Sequence, residues 1–247
     1  EHTVTFNATK QRLQLGKVAS VWENGIKPVY KLTTNLGREI TATANHPLLT
    51  CSGWQMLGEL QVGEKIATPS QILVEGRNEW PDDEVIALAR ELTIASETEA
   101  DAVIPDEVFE LTNRQIALLI SYMWKGDGSI TKREYMSVSY ISPSKQMQHQ
   151  LQHLLLRLGI LSQMRIVEFA HASEHRSGYQ LHITGNNHIL RFADYVECDK
   201  PRSYDICWDA IVSIEYVGEQ PTYDLTIPGT HNFVANDIIV HNSHAAD

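Results

Sequence analysis

Cysteine is scarce in this chain of 247 residues, which holds three, Cys51, Cys198 and Cys207, and no CxxC pair. That argues against a disulfide framework and against a thiolate zinc site, both of which need cysteines at paired spacing. Structural or free thiols are the reading left. Long apolar runs are missing too: no stretch approaches the roughly 18 apolar residues that span a bilayer, and the opening "EHTVTFNATKQRL" has no signal-peptide core. A cytoplasmic setting with no membrane partner is expected. Positive charge is also in deficit, with 20 Lys and Arg against 31 Asp and Glu, a formal net charge of −11. The surface as a whole is therefore not a nucleic-acid footprint.

The charge is unevenly placed. Residues 71–110 hold twelve acidic residues against two basic ones, Arg77 and Arg90, whereas 111–170 hold seven basic against three acidic. A change of module is expected there. At 43% hydrophobic, the chain has material for one large core or two modest ones.

From residue 1 to 69 the pattern is alternating and β-branched. "KVASVWENGIKPVYKLTTNLGREITATANHPLLT" predicts strands with turns at Glu23-Asn24-Gly25 and Asn35-Leu36-Gly37. Helical spacing appears over 82–95 and over 111–125, the second led by a cap at Thr112 or Asn113. "YMSVSYIS" alternates as a strand. "SPSKQMQHQLQHLLLRLG" reads as a capped helix with Pro143 in its first turn and Gly159 ending it. "QMRIVEFA" and "GYQLHIT" read as strands and "NNHILRFADYV" as a short helix, before the β pattern returns from Trp208 to Val240. β material thus flanks an α/β insert, the arrangement produced when one domain sits in an exposed loop of another.

The last strand ends on chemistry. In "NDIIVHNS" an apolar run leads into His241, Asn242 and Ser243. An Asn amide nitrogen can attack its own main-chain carbonyl, close a five-membered imide and cleave the peptide bond after itself. Acceleration needs an aligned backbone, a proton donor for the leaving nitrogen and a group that polarises the carbonyl. His241 is adjacent, and His231 lies ten residues upstream beyond a Pro-Gly turn, where a hairpin returns it to the same end of the sheet. Ser243 carries a hydroxyl suited to receiving an acyl group. Alone, His-Asn-Ser is more often a surface loop. A second constellation, Thr43 and His46 in "ITATANHPLLT", adds a hydroxyl and an imidazole at the end of another β run.

Together these stretches resemble the blocks of inteins, the protein-splicing domains. Thr43-x-x-His46 in "TATANHPLLT", followed by "GWQMLGELQVGEKIATP", is similar to the second splicing block. "TYDLTIPGTHNFVANDIIVHNS" is similar to the two C-terminal blocks almost position for position, and the likeness covers about 100 residues. It implies a mainly β, horseshoe-like Hint fold interrupted by an insert, and autocatalytic splicing without metal, nucleotide or other cofactor. By the resemblance, Thr43 and His46 destabilise and protonate the N-terminal scissile amide, and Asp224 coordinates the first steps. His231 and His241 assist Asn242 as it cyclises, and Ser243 takes the acyl chain. Inteins begin with a nucleophile, usually Cys, whereas this sequence begins at Glu1. The expectation is therefore a missing N-terminal segment as partner, in trans for a split intein, or else a truncated sequence. "SHAAD" resembles the segment "SHAA" of bacterial DNA polymerase III α subunit, which implies flanking exteins of such a host.

The insert resembles a LAGLIDADG homing endonuclease. "IALLISYMWKGDGSI" with "VSYISPSKQMQHQLQHLLLRLGI" is similar to one repeat of that family, in which paired helices each bring a carboxylate to divalent metal over double-stranded DNA. Asp127 is the implied metal ligand, for Mg²⁺, if the nuclease is active. Only one motif is visible, and Tyr122 stands where a small residue would let helices pack closely, so an inert remnant is expected. The boundaries read from the sequence are 1–69 and 204–242 for the splicing domain, 70–203 for the insert (70–107 eroded, 108–197 one repeat) and 243–247 for the start of the C-extein. The competing reading is a homing endonuclease or DNA-binding module on a fossil splicing scaffold.

Overall fold

The computed structural model describes residues 2–7, 12–72, 74–132, 136–171, 174–197 and 206–242. The chain forms two compact units, Glu1–Ile72 with Tyr204–Asp247, and Leu73–Ser203.

The first unit is mainly β. Strands β1 (His2–Asn7) and β2 (Arg12–Lys17) form a hairpin, followed by β3 (Ser20–Thr34), β4 (Glu39–Thr43), β5 (Pro47–Thr50), β6 (Gly53–Met56) and β7 (Lys65–Pro69). The turn at 35–37 closes β3 onto β4, with Gly37 at φ 83. The turn expected at 23–25 is absent. Instead β3 runs straight through it, and Gly25 at φ 77 sits in a bulge. The reason is a distant partner: Thr222 Oγ1 donates to Gly25 O at 2.8 Å, so the extra residue is absorbed in a strand pair.

The second unit is α/β, with α1 (Asp82–Thr98), α2 (Asn113–Asp127), β8 (Ser129–Lys132), β9 (Met136–Ser142), α3 (Lys145–Arg157), β10 (Ser162–His171), β11 (Glu174–Ile183) and α4 (Asn186–Glu197). Its strands form an antiparallel sheet in the order β10-β11-β9-β8. Ile116, Leu119, Ile120 and Met123 of α2 and Leu151, Leu154 and Leu155 of α3 meet Val138 and Tyr140 of β9 in one core. The cap of α3 is Ser144, whose hydroxyl accepts from Met147 N at 3.1 Å and donates to Ala102 O at 2.6 Å. Pro143 therefore lies before the cap instead of in the first turn. Gln148 of α3 is buried, and its Nε2 donates to Tyr140 O and Tyr179 O at 3.1 and 3.0 Å, stitching helix to sheet. No helix among the described residues is long and apolar enough to cross a membrane.

The chain then returns to the first unit as β12 (Ile206–Thr226), β13 (Asn232–Ala235) and β14 (Ile238–His241). β12 is a single long strand. Its first residues pair with β7, Ile206 opposite Pro69, and its remainder runs along β3. The sheet order is β13-β14-β5-β7-β12-β3-β4, with β6 on β5. Leu32, Ile40, Leu48, Leu57, Ile66, Ile211, Ile238 and Val240 form its core, while Phe6, Leu13, Ala67 and Ile239 form a smaller cluster under the β1–β2 hairpin. Each buried Leu, Ile, Val or Phe among them contributes about 1.5–3 kcal/mol. Buried Arg38 donates to Pro69 O at 3.1 Å, and buried Asp209 accepts from Leu36 N at 3.2 Å, tying the 35–38 turn to the β7–β12 pair.

Candidate functional site

The site is built on the β13–β14 hairpin. Asn236 and Asp237 have φ 47 and 58, a two-residue turn with both central residues left-handed, which matches the strand twist. Asn and Asp tolerate that region better than other L-residues, so "ANDI" turns where it does. Beyond it Ile238, Ile239 and Val240 are fully buried, because β14 lies inside the sheet between β13 and β5. That burial sets His241 and Asn242 at the sheet's end.

Three contacts then define the last residues. Asn242 N donates to His231 O at 3.0 Å. His231 has φ 53 at the end of the Pro228-Gly229 turn, which carries its carbonyl across to Asn242. His241 Nδ1 lies 2.6 Å from Asn242 O. A carbonyl oxygen only accepts, so the imidazole donates, and Nδ1 carries the proton. The His241 ring meets Trp54 of β6 edge-on at 4.9 Å and lies nearly parallel to the His231 ring at 6.5 Å. Asn242 is 6% exposed, and its Oδ1 is buried without a hydrogen-bond partner among the described residues. An amide so placed is held away from water beside its own polarised carbonyl.

His46 comes to the same place by another route. β4 ends at Thr43, the chain turns with His46 N donating to Thr43 O at 3.0 Å, and the loop is pinned from beneath by Leu57 N on His46 O at 2.9 Å and Gly58 N on Ala44 O at 2.8 Å. Gly58 lets the two stretches approach closely, since a Cβ would stand 3.1 Å from Ala44 Cβ and 3.3 Å from Ala44 O. Burial holds the His46 imidazole below the ordinary histidine value; the nearby Asp224 carboxylate opposes that shift and His241 adds to it. Asp224 is buried at 2% exposure, and its Oδ1 accepts from Leu225 N at 2.9 Å.

The structure thus gathers His46, Asp224, His231, His241 and Asn242, with Thr43 three residues before His46 at the end of β4. Ser243 lies outside the described residues. Asp127 belongs to the second unit, exposed at the last position of α2. Among the described residues no group of three or more His, Cys, Asp or Glu is disposed to hold a metal. Cys51 is exposed and Cys207 half-buried, both as free thiols, while Cys198 falls outside the described residues. Two residues of the site carry no signal in the sequence. Trp54 touches His241 from a strand far away in the chain, and buried Asn232 reads as an ordinary loop asparagine beside His231.

A family model described as the intein splicing domain matches residues 1–242. The chain is 25% identical to the replicative DNA helicase DnaB of Rhodothermus marinus, across 98% of this chain and 43% of that protein. It is 24% identical to DnaB of Synechocystis sp., across 98% and 46%. It therefore spans less than half the length of these relatives. Among solved structures, a DnaB intein from Synechocystis sp. shares 24% identity over 98% of this chain and 79% of that one, with a TM-score of 0.44. The DnaX mini intein from Spirulina platensis shares 13% over 98% and 81%, with a TM-score of 0.40.

Proposed function

Because the chain belongs to the intein splicing-domain family, we propose that its mainly β unit cleaves the peptide bond after Asn242 and, as part of splicing, joins the flanking segments. The observation that carries this reading is the 2.6 Å contact from His241 Nδ1–H to the carbonyl oxygen of buried Asn242. In the proposed step the Asn242 amide nitrogen attacks its own carbonyl carbon, and His241 holds the charge that develops on the oxygen. The C–N bond to Ser243 breaks, the amide nitrogen gives up a proton, and the leaving amine takes one. His231, exposed and lying alongside His241, suits that proton transfer. Thr43 and His46 act on the N-terminal junction with Asp224 beside them, and Ser243 receives the acyl group. No cofactor enters this scheme. Ligation calls in addition for a first nucleophile, contributed in this proposal by an N-terminal intein segment, in cis or in trans. The proposed host, on the "SHAAD" likeness, is a DNA polymerase III α subunit.

The test is intact-mass measurement of the chain carrying a C-terminal extension, alone and mixed with an N-terminal intein segment that starts with Cys. Release of the extension is expected from the chain alone, and a ligated product only in the mixture. Asn242→Ala is expected to abolish both. Unchanged masses under every condition would count against the reading.

One observation favours a second role for Leu73–Ser203. α1 and α2 approach so closely that a Cβ on Gly126 would stand 2.7 Å from Thr93 Cγ2, the tight helix pairing the LAGLIDADG likeness implies. Tyr122, by contrast, is half-buried with Lys125 Nζ over its ring at 4.9 Å. Opposite Gly126-Asp127, Thr93 and its neighbours Leu92 and Ile94 bring no carboxylate, so the residues at this contact do not fit a two-carboxylate Mg²⁺ centre. DNA binding without cleavage is the form this second proposal takes. A mobility shift with double-stranded DNA, weakened by salt, would support it.

A further inference from the structure

We infer that Asn232 is a positioning residue for cleavage at Asn242, referencing the C-terminal hairpin to the N-terminal strand through its side-chain amide. The inference rests on the proposed reading of Asn242 as the cleaving residue. Asn232 is 2% exposed. Its Oδ1 accepts from Phe6 N at 2.6 Å, and its Nδ2 donates to Phe6 O at 2.7 Å and to Thr230 O at 2.8 Å. One side chain thus takes both backbone polar groups of Phe6, as a neighbouring strand would. It adds a tie to the residue that precedes His231.

The consequence reaches the reacting bond in two ways. Asn232 is the cross-strand partner of His241, whose ring bonds the Asn242 carbonyl. It also follows His231, whose carbonyl receives Asn242 N–H. Residues 230–232 are therefore the rail on which Asn242 rests, and the rail is fastened to β1. Phe6 holds from the same direction, its ring packed with Leu13, Ala67 and Ile239 of β14. An Asn amide offers two donor hydrogens and an acceptor on one short planar group, as the three bonds here use. Seating β1 then sets the alignment at the C-terminal junction, so that departure of one end is tied to the presence of the other.

Asn232→Asp separates positioning from mere support. The carboxylate keeps the size and the acceptor for Phe6 N–H but faces Phe6 O and Thr230 O with no proton to give. Protonation restores one donor. Cleavage rates of wild type and Asn232→Asp, both full-length with a C-terminal extension, are measured by intact mass from about pH 8.5 to about pH 5.5, bracketing the range in which a buried carboxyl takes up its proton. Thermal melts establish folding at each pH. The variant is expected to cleave at least about tenfold slower at the alkaline end, as a small misplacement of a reacting group does, and its rate relative to wild type is expected to recover on acidification. In a second variant Phe6 is replaced by its α-hydroxy acid in a ligated full-length chain, removing the N–H while leaving every side chain in place. The two slowdowns are expected to combine to less than their product, because the two variants break different bonds of the same tie between residue 232 and Phe6.

A folded Asn232→Asp chain that cleaves like wild type, or that is slowed by one constant factor at every pH, overturns the proposal. So do slowdowns that multiply. If Asn232→Asp does not fold, the ester chain decides: cleavage at the wild-type rate overturns the proposal, and slowed cleavage in a folded chain supports it. A wild type that never cleaves strikes the reading of Asn242 itself and removes the premise.

Discussion

At the scale of single residues, the imidazoles of the first unit are asked to do different things. His241 Nδ1–H donates a hydrogen bond to the Asn242 carbonyl oxygen, so its replacement removes a donor aimed at the oxygen that gathers charge in the proposed step. His241→Ala is expected to slow C-terminal cleavage by about a hundredfold or more, the usual cost of losing one such donor, with rates read from intact mass. His46 is different, being held below the ordinary histidine value chiefly by burial. The unfolded chain therefore takes up this proton at a higher pH than the folded chain does. Stability tied to neutral His46 is complete above the ordinary value of about 6.5 and is lost progressively as the pH falls below it. His182 and His188 are shifted the same way, also by burial first. The melting temperature is expected to drop between about pH 8 and about pH 5.5, on either side of that value, and His46→Gln is expected to flatten part of the drop.

At the scale of elements, the hairpin that ends the sheet is the controlling piece. Asn236 holds φ 47, where a β-branched residue is strained. Asn236→Val is expected to cost about 1–2 kcal/mol, seen as a lower denaturant midpoint at unchanged slope, with cleavage slowed in step. This hairpin was legible in the sequence, since "FVANDIIV" alternates into a turn and then a run too apolar to be anything but interior. The Glu23-Asn24-Gly25 segment predicts a turn and instead folds as a bulged part of β3. Asn-Gly signals a hairpin turn and a glycine bulge alike, and the deciding contact, Thr222 Oγ1 to Gly25 O, comes from a residue 197 positions away. The same limit hid Trp54 and Asn232. Their roles come from His241 and Phe6, partners that meet them only once the sheet has formed.

At the scale of the whole molecule, two compact units share one chain, and the crossing points are local to the β unit. Pro69 and Ile206 are paired residues of β7 and β12, so the ends that lead away are about 5 Å apart. Among the described residues, the core around Leu32, Ile66, Ile211 and Val240 is built from side chains of the first unit. Replacing 73–203 by a short turn is therefore expected to leave a chain that melts cooperatively and cleaves after Asn242 within a few-fold of the full-length rate. Calorimetry and intact mass check it together. A collapse of both would mean that the β unit cannot fold without the segment it encloses.

The edge of Trp54 against the His241 ring has an optical consequence. An indole loses emission to a protonated imidazole far more readily than to a neutral one. With Trp22, Trp80, Trp124 and Trp208 exchanged for phenylalanine, the fluorescence of the remaining indole becomes a gauge of charge on the ring that touches the reacting carbonyl. In the proposed cleavage after Asn242, a change in this emission is expected to precede the release of any fragment.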